Sequence, residues 1–271
     1  MVAFPHCKIN LGLQVLHKRP DGYHELSTCF YPVPWTDILE IIEAPSLQFT
    51  QTGAAIPGNA DENLCLKAYQ LLSKEHALPS VHIYLHKILP TGAGLGGGSS
   101  DAAFTLKILN EKFELGLSLV QLEQYAAILG SDCPFFLYAT PMWGSGRGEI
   151  LSKASVSLKG IYMVVVKPHV HVSTAAAYAG IQPHAPEKRI EHLLTEYALK
   201  DWKNVVVNDF EKTVFPAFPA IEPIKRALYA HGAVYASMSG SGSAVFGLFE
   251  REVALQPFFP DAVCWSGYLT V

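Results

Sequence analysis

The sequence predicts an α/β (α+β) protein of two domains, and three observations carry that prediction. A strand-like alternation, Val81-His-Ile-Tyr-Leu-His86, runs into a glycine-rich segment and then into a helical pattern from Ser99. Strand and helix patterns are interleaved along the chain rather than grouped. The pattern restarts after about residue 152, which places a boundary there and divides the chain into 1–152 and 153–271. With 271 residues, 49% of them hydrophobic, the chain can bury one large core or two moderate ones.

The elements follow in order. Ile9, Leu11, Leu13 and Val15 alternate as in a strand, and Pro20-Asp-Gly22 is a turn signal. Residues 27–34 and 37–43 read as further strands. Asp61-Glu-Asn63 opens a helix with Leu64, Ala68, Leu71 and Leu72 on its apolar face. After the strand at 81–89 and the glycine segment come helices over 99–112 and 118–129, the second stopped by Gly130. Ser131-Asp-Cys-Pro134 is a short helical turn or loop, and 144–148 is a loop. In the second half, strands are expected near 161–166, 233–237, 243–249 and 264–270. Helices are expected near 173–180, 187–200 and 218–231.

Composition narrows the function classes. The net charge is −4 and no long basic run occurs, so nucleic acid is not an expected partner. The five cysteines are scattered without a C-x-x-C pair, which suits free thiols in a reducing cytoplasm. No stretch of 18 uninterrupted apolar residues exists to span a membrane, and Met1–Lys8 lacks an apolar signal core.

Pro90-Thr-Gly-Ala-Gly-Leu-Gly-Gly-Gly-Ser-Ser-Asp101 is the most informative segment. Glycines let the backbone turn its N–H groups toward a ligand, and a helix start near Ser99 adds unpaired N–H groups and the positive end of the helix dipole. Together these cradle polyanions, most often phosphate. Gly92, Gly94 and Gly97 also match G-x-G-x-x-G, but the second strand and acid of a dinucleotide site do not follow. A P-loop would need Gly-Lys-Ser/Thr, and a plain tight turn would need one or two glycines rather than five. Gly96 and Gly97 are expected where a side chain would fill the phosphate space.

Other constellations are ambiguous taken singly. Lys8 and Asn10 share one face of the first strand, as a ligand site or as a solvent-facing edge. Tyr23-His24 after Asp21-Gly22 is a recognition pair or a hairpin corner. Asp132, between Gly130 and Pro134, is a functional carboxylate or a helix N-cap. Met238-Ser-Gly-Ser-Gly-Ser243 is a flexible hairpin, or a backbone contact for a phosphate or a neighbouring loop.

Together the lysine strand, the segment Pro90–Ala103 and Ser239-Gly-Ser-Gly-Ser243 resemble the GHMP kinases, the superfamily of galactokinase, homoserine kinase and mevalonate kinase. The resemblance extends over nearly the whole chain through Asp21-Gly-Tyr-His-Glu-Leu26, Gly130-Ser-Asp-Cys-Pro-Phe-Phe136, Gly146-Arg-Gly-Glu149 and Asn208-Asp-Phe-Glu211. It implies an S5-like N-terminal domain and a ferredoxin-like C-terminal domain, with ATP and substrate meeting in the cleft between them. The implied reaction moves the ATP γ-phosphoryl to the 2-hydroxyl of 4-diphosphocytidyl-2-C-methyl-D-erythritol, in the non-mevalonate isoprenoid pathway.

The resemblance also assigns roles. Lys8 and Asp132 would be the catalytic pair. Asn63, Lys87, Pro90, Gly92, Gly94, Leu95, Gly96, Gly97, Gly98, Ser99 and Ser100 would bind ATP, with Asn63 and Lys87 toward the adenosine. Asn10, Tyr23, His24, Thr174 and Tyr178 would bind the substrate, Tyr178 replacing a phenylalanine. Mg²⁺ would bridge ATP oxygens. Some relatives use a helix serine and a separate glutamate for it, and here Ser100 matches the first while nothing matches the second, so no protein ligand set for the metal is assigned. Position 101 is Asp where Asn is also common. A monomer or weak homodimer is expected, with a small molecule as the partner.

Overall fold

The computed structural model describes residues 1–56 and 58–271. Strands run Val2–Ala3 (β1), His6–Lys18 (β2), His24–Thr36 (β3), Ile38–Glu43 (β4), Gln48–Gly53 (β5), Val81–Lys87 (β6), Met142–Ser145 (β7) and Ile150–Lys153 (β8). They continue as Tyr162–Pro168 (β9), Tyr235–Met238 (β10), Val245–Phe249 (β11) and Ala262–Tyr268 (β12). The α-helices are Leu64–Ser73 (α1), Gly97–Lys112 (α2), Leu119–Leu129 (α3), Thr174–Tyr178 (α4) and Ile190–Glu196 (α5). Trp202–Val205 (α6), Glu211–Ala217 (α7) and Glu222–Ala230 (α8) complete them.

The chain packs as two units. The first comprises residues 1–7, 35–91 and 96–139, and the second 8–34, 92–95 and 140–271. The first is built on a sheet of order β1-β4-β6-β5, in which β4 runs antiparallel and β5 parallel to β6. The period-two pattern of β6 sends Val81, Ile83 and Leu85 into the core, and Leu39 and Ile41 of β4 join them. Helix α1 starts where the Asn63 side chain accepts the Cys65 N–H. Helix α3 starts at a reciprocal Ser118/Gln121 capping box. Helix α2 starts differently. Its N-cap is Gly96, left-handed at φ +71°, with no capping side chain.

The second unit holds an antiparallel sheet, β10-β11-β9-β12, and a second sheet of order β2-β3-β7-β8. Its core gathers Leu13, Val15 and Leu26 with Val164, Val166, Phe210, Leu228 and Val245. The segment before α7 docks on β2. The Asp209 N–H donates to the Leu13 carbonyl (2.8 Å), and the Val15 N–H donates to Asp209 Oδ2 (2.9 Å).

Most expected elements are present within a few residues. Strands β5, β7 and β8 and helix α7 were not expected. The first is polar on its open face and the next two are four residues long, so neither carries a periodic signal. Pro216 lies inside α7 and obscures its pattern.

Candidate active site

In the second unit, Lys8 and Asn10 are 3% and 2% exposed, which removes the solvent-facing-edge reading of this strand. Burial leaves the ammonium in need of an acceptor. Lys8 Nζ donates to Asn10 Oδ1 (2.7 Å), and Asn10 Nδ2 donates to Thr28 Oγ1 (3.0 Å). Thr28 in turn donates to the Gly12 carbonyl (2.6 Å), so β3 fixes the rotamer of a residue on β2.

The glycine segment 92–95 is held beside this pair. The Lys8 N–H donates to the Leu95 carbonyl (3.0 Å), the Ala244 N–H to the Ala93 carbonyl (3.0 Å) and the Ser239 hydroxyl to the Gly94 carbonyl (2.8 Å). A Cβ on Gly94 would lie 2.0 Å from the Ser239 carbonyl oxygen, so glycine is required there by close approach as well as by φ +75°. The Ser239–Ser243 segment is therefore a contact for a neighbouring loop and not a free hairpin. Asn208 braces it by donating to the Met238 and Gly240 carbonyls (2.8 Å each), and Glu211 accepts the Met238 N–H (2.8 Å). Neither Asn208 nor Glu211 stood among the expected site residues. The segment that holds them was the only sign.

Tyr23 follows a turn in which its N–H donates to Asp21 Oδ1 (3.1 Å). Its ring is half exposed, with the Arg147 guanidinium carbon 4.7 Å from the centroid. His24 stacks on Tyr178, and Tyr178 meets Phe210 edge-on at 4.7 Å. Burial lowers the His24 pKa below the ordinary value, and Lys18 adds to it. Thr174 is the exposed first residue of α4, after the Ser173 cap.

In the first unit, Asp132 precedes the 3₁₀ turn Cys133–Leu137 but makes no capping hydrogen bond, which removes the N-cap reading. Its neighbour Cys133 shares a hydrogen bond with the Ser99 side chain, so the Asp132 turn lies beside the first turn of α2. Burial pushes the Cys133 thiol up to about 12, which leaves it no thiolate at neutral pH. The Ser100 hydroxyl is buried without a hydrogen-bond partner.

Two residues expected near adenosine have other engagements. Asn63 caps α1 through its side-chain oxygen. Lys87 is 2% exposed and donates to both Asp37 and Asp101, the latter at 2.8 Å. Burial disfavours that ammonium, but the two carboxylates outweigh it and hold its pKa above the ordinary value. Gly97 also differs from expectation. Its missing side chain makes room for Lys87 Nζ, which would lie 3.2 Å from a Cβ, and for Leu89. Lys8 and Asp132 belong to different packing units.

The glycine segment, the uncapped helix start after it and the buried Lys8–Asn10 pair define a small-molecule kinase of the GHMP class. Residues 63–140 match the GHMP kinases N terminal domain family, and residues 188–257 match the GHMP kinases C terminal family. The chain is 52% identical to 4-diphosphocytidyl-2-C-methyl-D-erythritol kinase of Bacteroides fragilis (strain YCH46), with 98% of each chain covered. It is 53% identical to the Bacteroides thetaiotaomicron enzyme of the same name, over 99% of this chain and 100% of that one. A crystal structure of 4-(cytidine 5'-diphospho)-2C-methyl-D-erythritol kinase superposes with a TM-score of 0.87 at 33% identity, each chain fully covered. Homoserine kinase from Cytophaga hutchinsonii shares the fold at a TM-score of 0.68 and 17% identity, over 98% of this chain and 95% of that one. Within the GHMP kinases, the chain belongs to the 4-diphosphocytidyl-2-C-methyl-D-erythritol kinase family.

Proposed function

We propose that the chain transfers the ATP γ-phosphoryl to the 2-hydroxyl of 4-diphosphocytidyl-2-C-methyl-D-erythritol in the cytoplasm, in the non-mevalonate isoprenoid pathway. The observation that carries the chemistry is the junction at Ser99. There an uncapped helix start, following the glycine segment, lies beside the turn that bears Asp132. The N–H groups of 92–100 hold the ATP phosphates, where a helix start favours negative charge. Asp132 accepts the proton of the attacking hydroxyl, and Lys8, oriented by Asn10, steadies the charge that develops. Such transfer is mostly positioning and electrostatic support.

Mg²⁺ is a hard ion that travels on phosphate oxygens and water. Among the described residues no group of three or more His, Cys, Asp or Glu side chains is arranged to hold a metal. The ion would arrive on the nucleotide, and the buried Ser100 hydroxyl, which has no hydrogen-bond partner, would be the protein oxygen open to it. Tyr23, His24 and Tyr178 read the cytosine ring, and Thr174 faces the diphosphate. Among the described residues no helix is long and apolar enough to cross a membrane. The test is a coupled ADP-release assay with the cytidine substrate against homoserine and mevalonate. Turnover restricted to the cytidine compound supports the reading, and turnover of homoserine or mevalonate instead overturns it.

A further inference from the structure

Three ionisable side chains are buried together at the start of α2, next to the glycine segment in sequence: Asp37 at 0%, Lys87 at 2% and Asp101 at 2% exposure. Their bonds reach both stems of that segment. On the strand side, Asp37 Oδ1 accepts the N–H groups of Ile88 (2.6 Å) and Leu89 (2.8 Å), the two residues before Pro90. On the helix side, Lys87 Nζ donates to Asp101 Oδ2 in α2 (2.8 Å), and Gly97, the first residue of α2, sits against the same ammonium. Lys87 also donates to Asp37 Oδ2, which closes the set. The main chain of Lys87 is held separately by the Ala54 N–H, 2.8 Å from its carbonyl.

This arrangement is poor as a stability device. Desolvating ions is costly, and apolar residues of similar volume often do as well or better. Here two carboxylates share one ammonium, and Asp101 Oδ1 is buried with no hydrogen-bond partner at all. The set does, however, fix directions that apolar packing leaves loose, because its outer bonds end on backbone N–H groups at one stem and on α2 at the other.

We propose that the Asp37–Lys87–Asp101 triad is the positioning element of the ATP loop, Asp37 setting its strand-side stem and Lys87 with Asp101 setting the start of α2. The proposal rests on the reading of residues 92–100 as that loop. None of the three side chains touches the nucleotide in this scheme. They act through the backbone N–H groups whose direction they determine.

The experiment measures ATP and cytidine-substrate Kd by calorimetry, with steady-state kinetics, for wild type, Asp101→Ala, Asp101→Leu and Asp101→Asn. Lys87 keeps Asp37 as a partner in all of them. In the Ala and Leu variants ATP affinity and kcat/KM should fall roughly 10- to 100-fold, the scale of an ångström-sized misplacement. The cytidine-substrate Kd should stay within about twofold. Asp101→Asn, whose amide oxygen still accepts from Lys87, should return ATP affinity most of the way to wild type. The Leu variant fills the site and serves if the Ala variant does not fold. Unchanged ATP affinity in a folded Ala or Leu variant, equal losses for both ligands, or no rescue by Asn overturns the proposal. A separate arm follows amide hydrogen exchange of the wild type with ATP. Absence of protection over 92–100 removes the loop reading itself, whatever the variants do.

Discussion

His24 lies flat against Tyr178, ring centroids 4.9 Å apart and planes at 19°. An aromatic ring pair in that arrangement already satisfies the face that a cytosine would use. A base recognised by this pair would therefore have to separate the two rings or use an outer face of the stack.

Tyr23→Ala should weaken the cytidine substrate about 5- to 150-fold, the equivalent of roughly 1–3 kcal/mol of base stacking, and leave ATP unaffected. Calorimetry with each ligand checks it. An equal loss for both would make the Asp21–His24 segment a structural corner.

Asp132→Asn should lower kcat by about 10²–10⁴-fold with both ligands still bound, the usual range for a general base. Asparagine keeps the size and shape of the aspartate, so the fold should persist. Lys8→Met should also lower kcat, and the double variant should be little worse than the worse single one if the two act as a unit. Retention of most of the activity by folded Asp132→Asn would remove it from the chemistry.

Gly94→Ala should cost both stability and ATP affinity, because the added methyl meets the Ser239 carbonyl at 2.0 Å in a left-handed backbone. A penalty of about 1–3 kcal/mol corresponds to several degrees in Tm for a chain of this size. Gly98→Ala is the control, since its nearest atom would be Leu64 Cδ1 at 3.9 Å. A Tm for Gly94→Ala equal to that of the control would show that the two segments do not press together.

Asp101 predicts a pH dependence. Burial pushes its carboxyl up from 3.8 to about 7, against the attraction of Lys87 and with help from Asp37. The folded chain thus keeps a proton that the unfolded chain releases at lower pH. The associated stability is present below the unfolded value and is lost as pH rises through about 7. Asp101→Asn has no such proton to lose, so its Tm relative to wild type should climb between about pH 4 and pH 7 and then level off. Thermal melts of both proteins across that range decide it, and a flat difference would place the proton elsewhere.

The parts of the fold that repeat were legible in the sequence. Ile9 to Val15, Val81 to His86 and the capping residues Asn63 and Ser118 announce their elements through period and side-chain chemistry. The glycine segment announced phosphate chemistry because five glycines exceed what a turn requires. What was not legible depends on residues distant in sequence. Nothing around Asp37 signals that it meets a lysine 50 positions on. The resemblance places Lys87 near the adenosine, and only its burial between two carboxylates shows the other engagement. Gly97 is glycine because of that buried ammonium, which no local pattern contains. The stacking of His24 on Tyr178 likewise joins two short segments 154 positions apart, by simple subtraction of their numbers.

The docking of β2 onto the Asn208–Asp209 segment has a consequence for synthesis. Leu13 and Val15 are made about 200 residues before their partners Asp209 and Phe210. At 5–20 residues per second that is a wait of roughly 10–40 seconds. Tyr31 waits longer still, since its hydroxyl bonds to the carbonyl of Val271, 240 residues on. During that interval β3 can already pair with β2, but Leu13 and Val15 lack the part of their packing that Phe210 supplies. Chaperones that hold exposed hydrophobic side chains should engage Leu13 and Val15 in that interval.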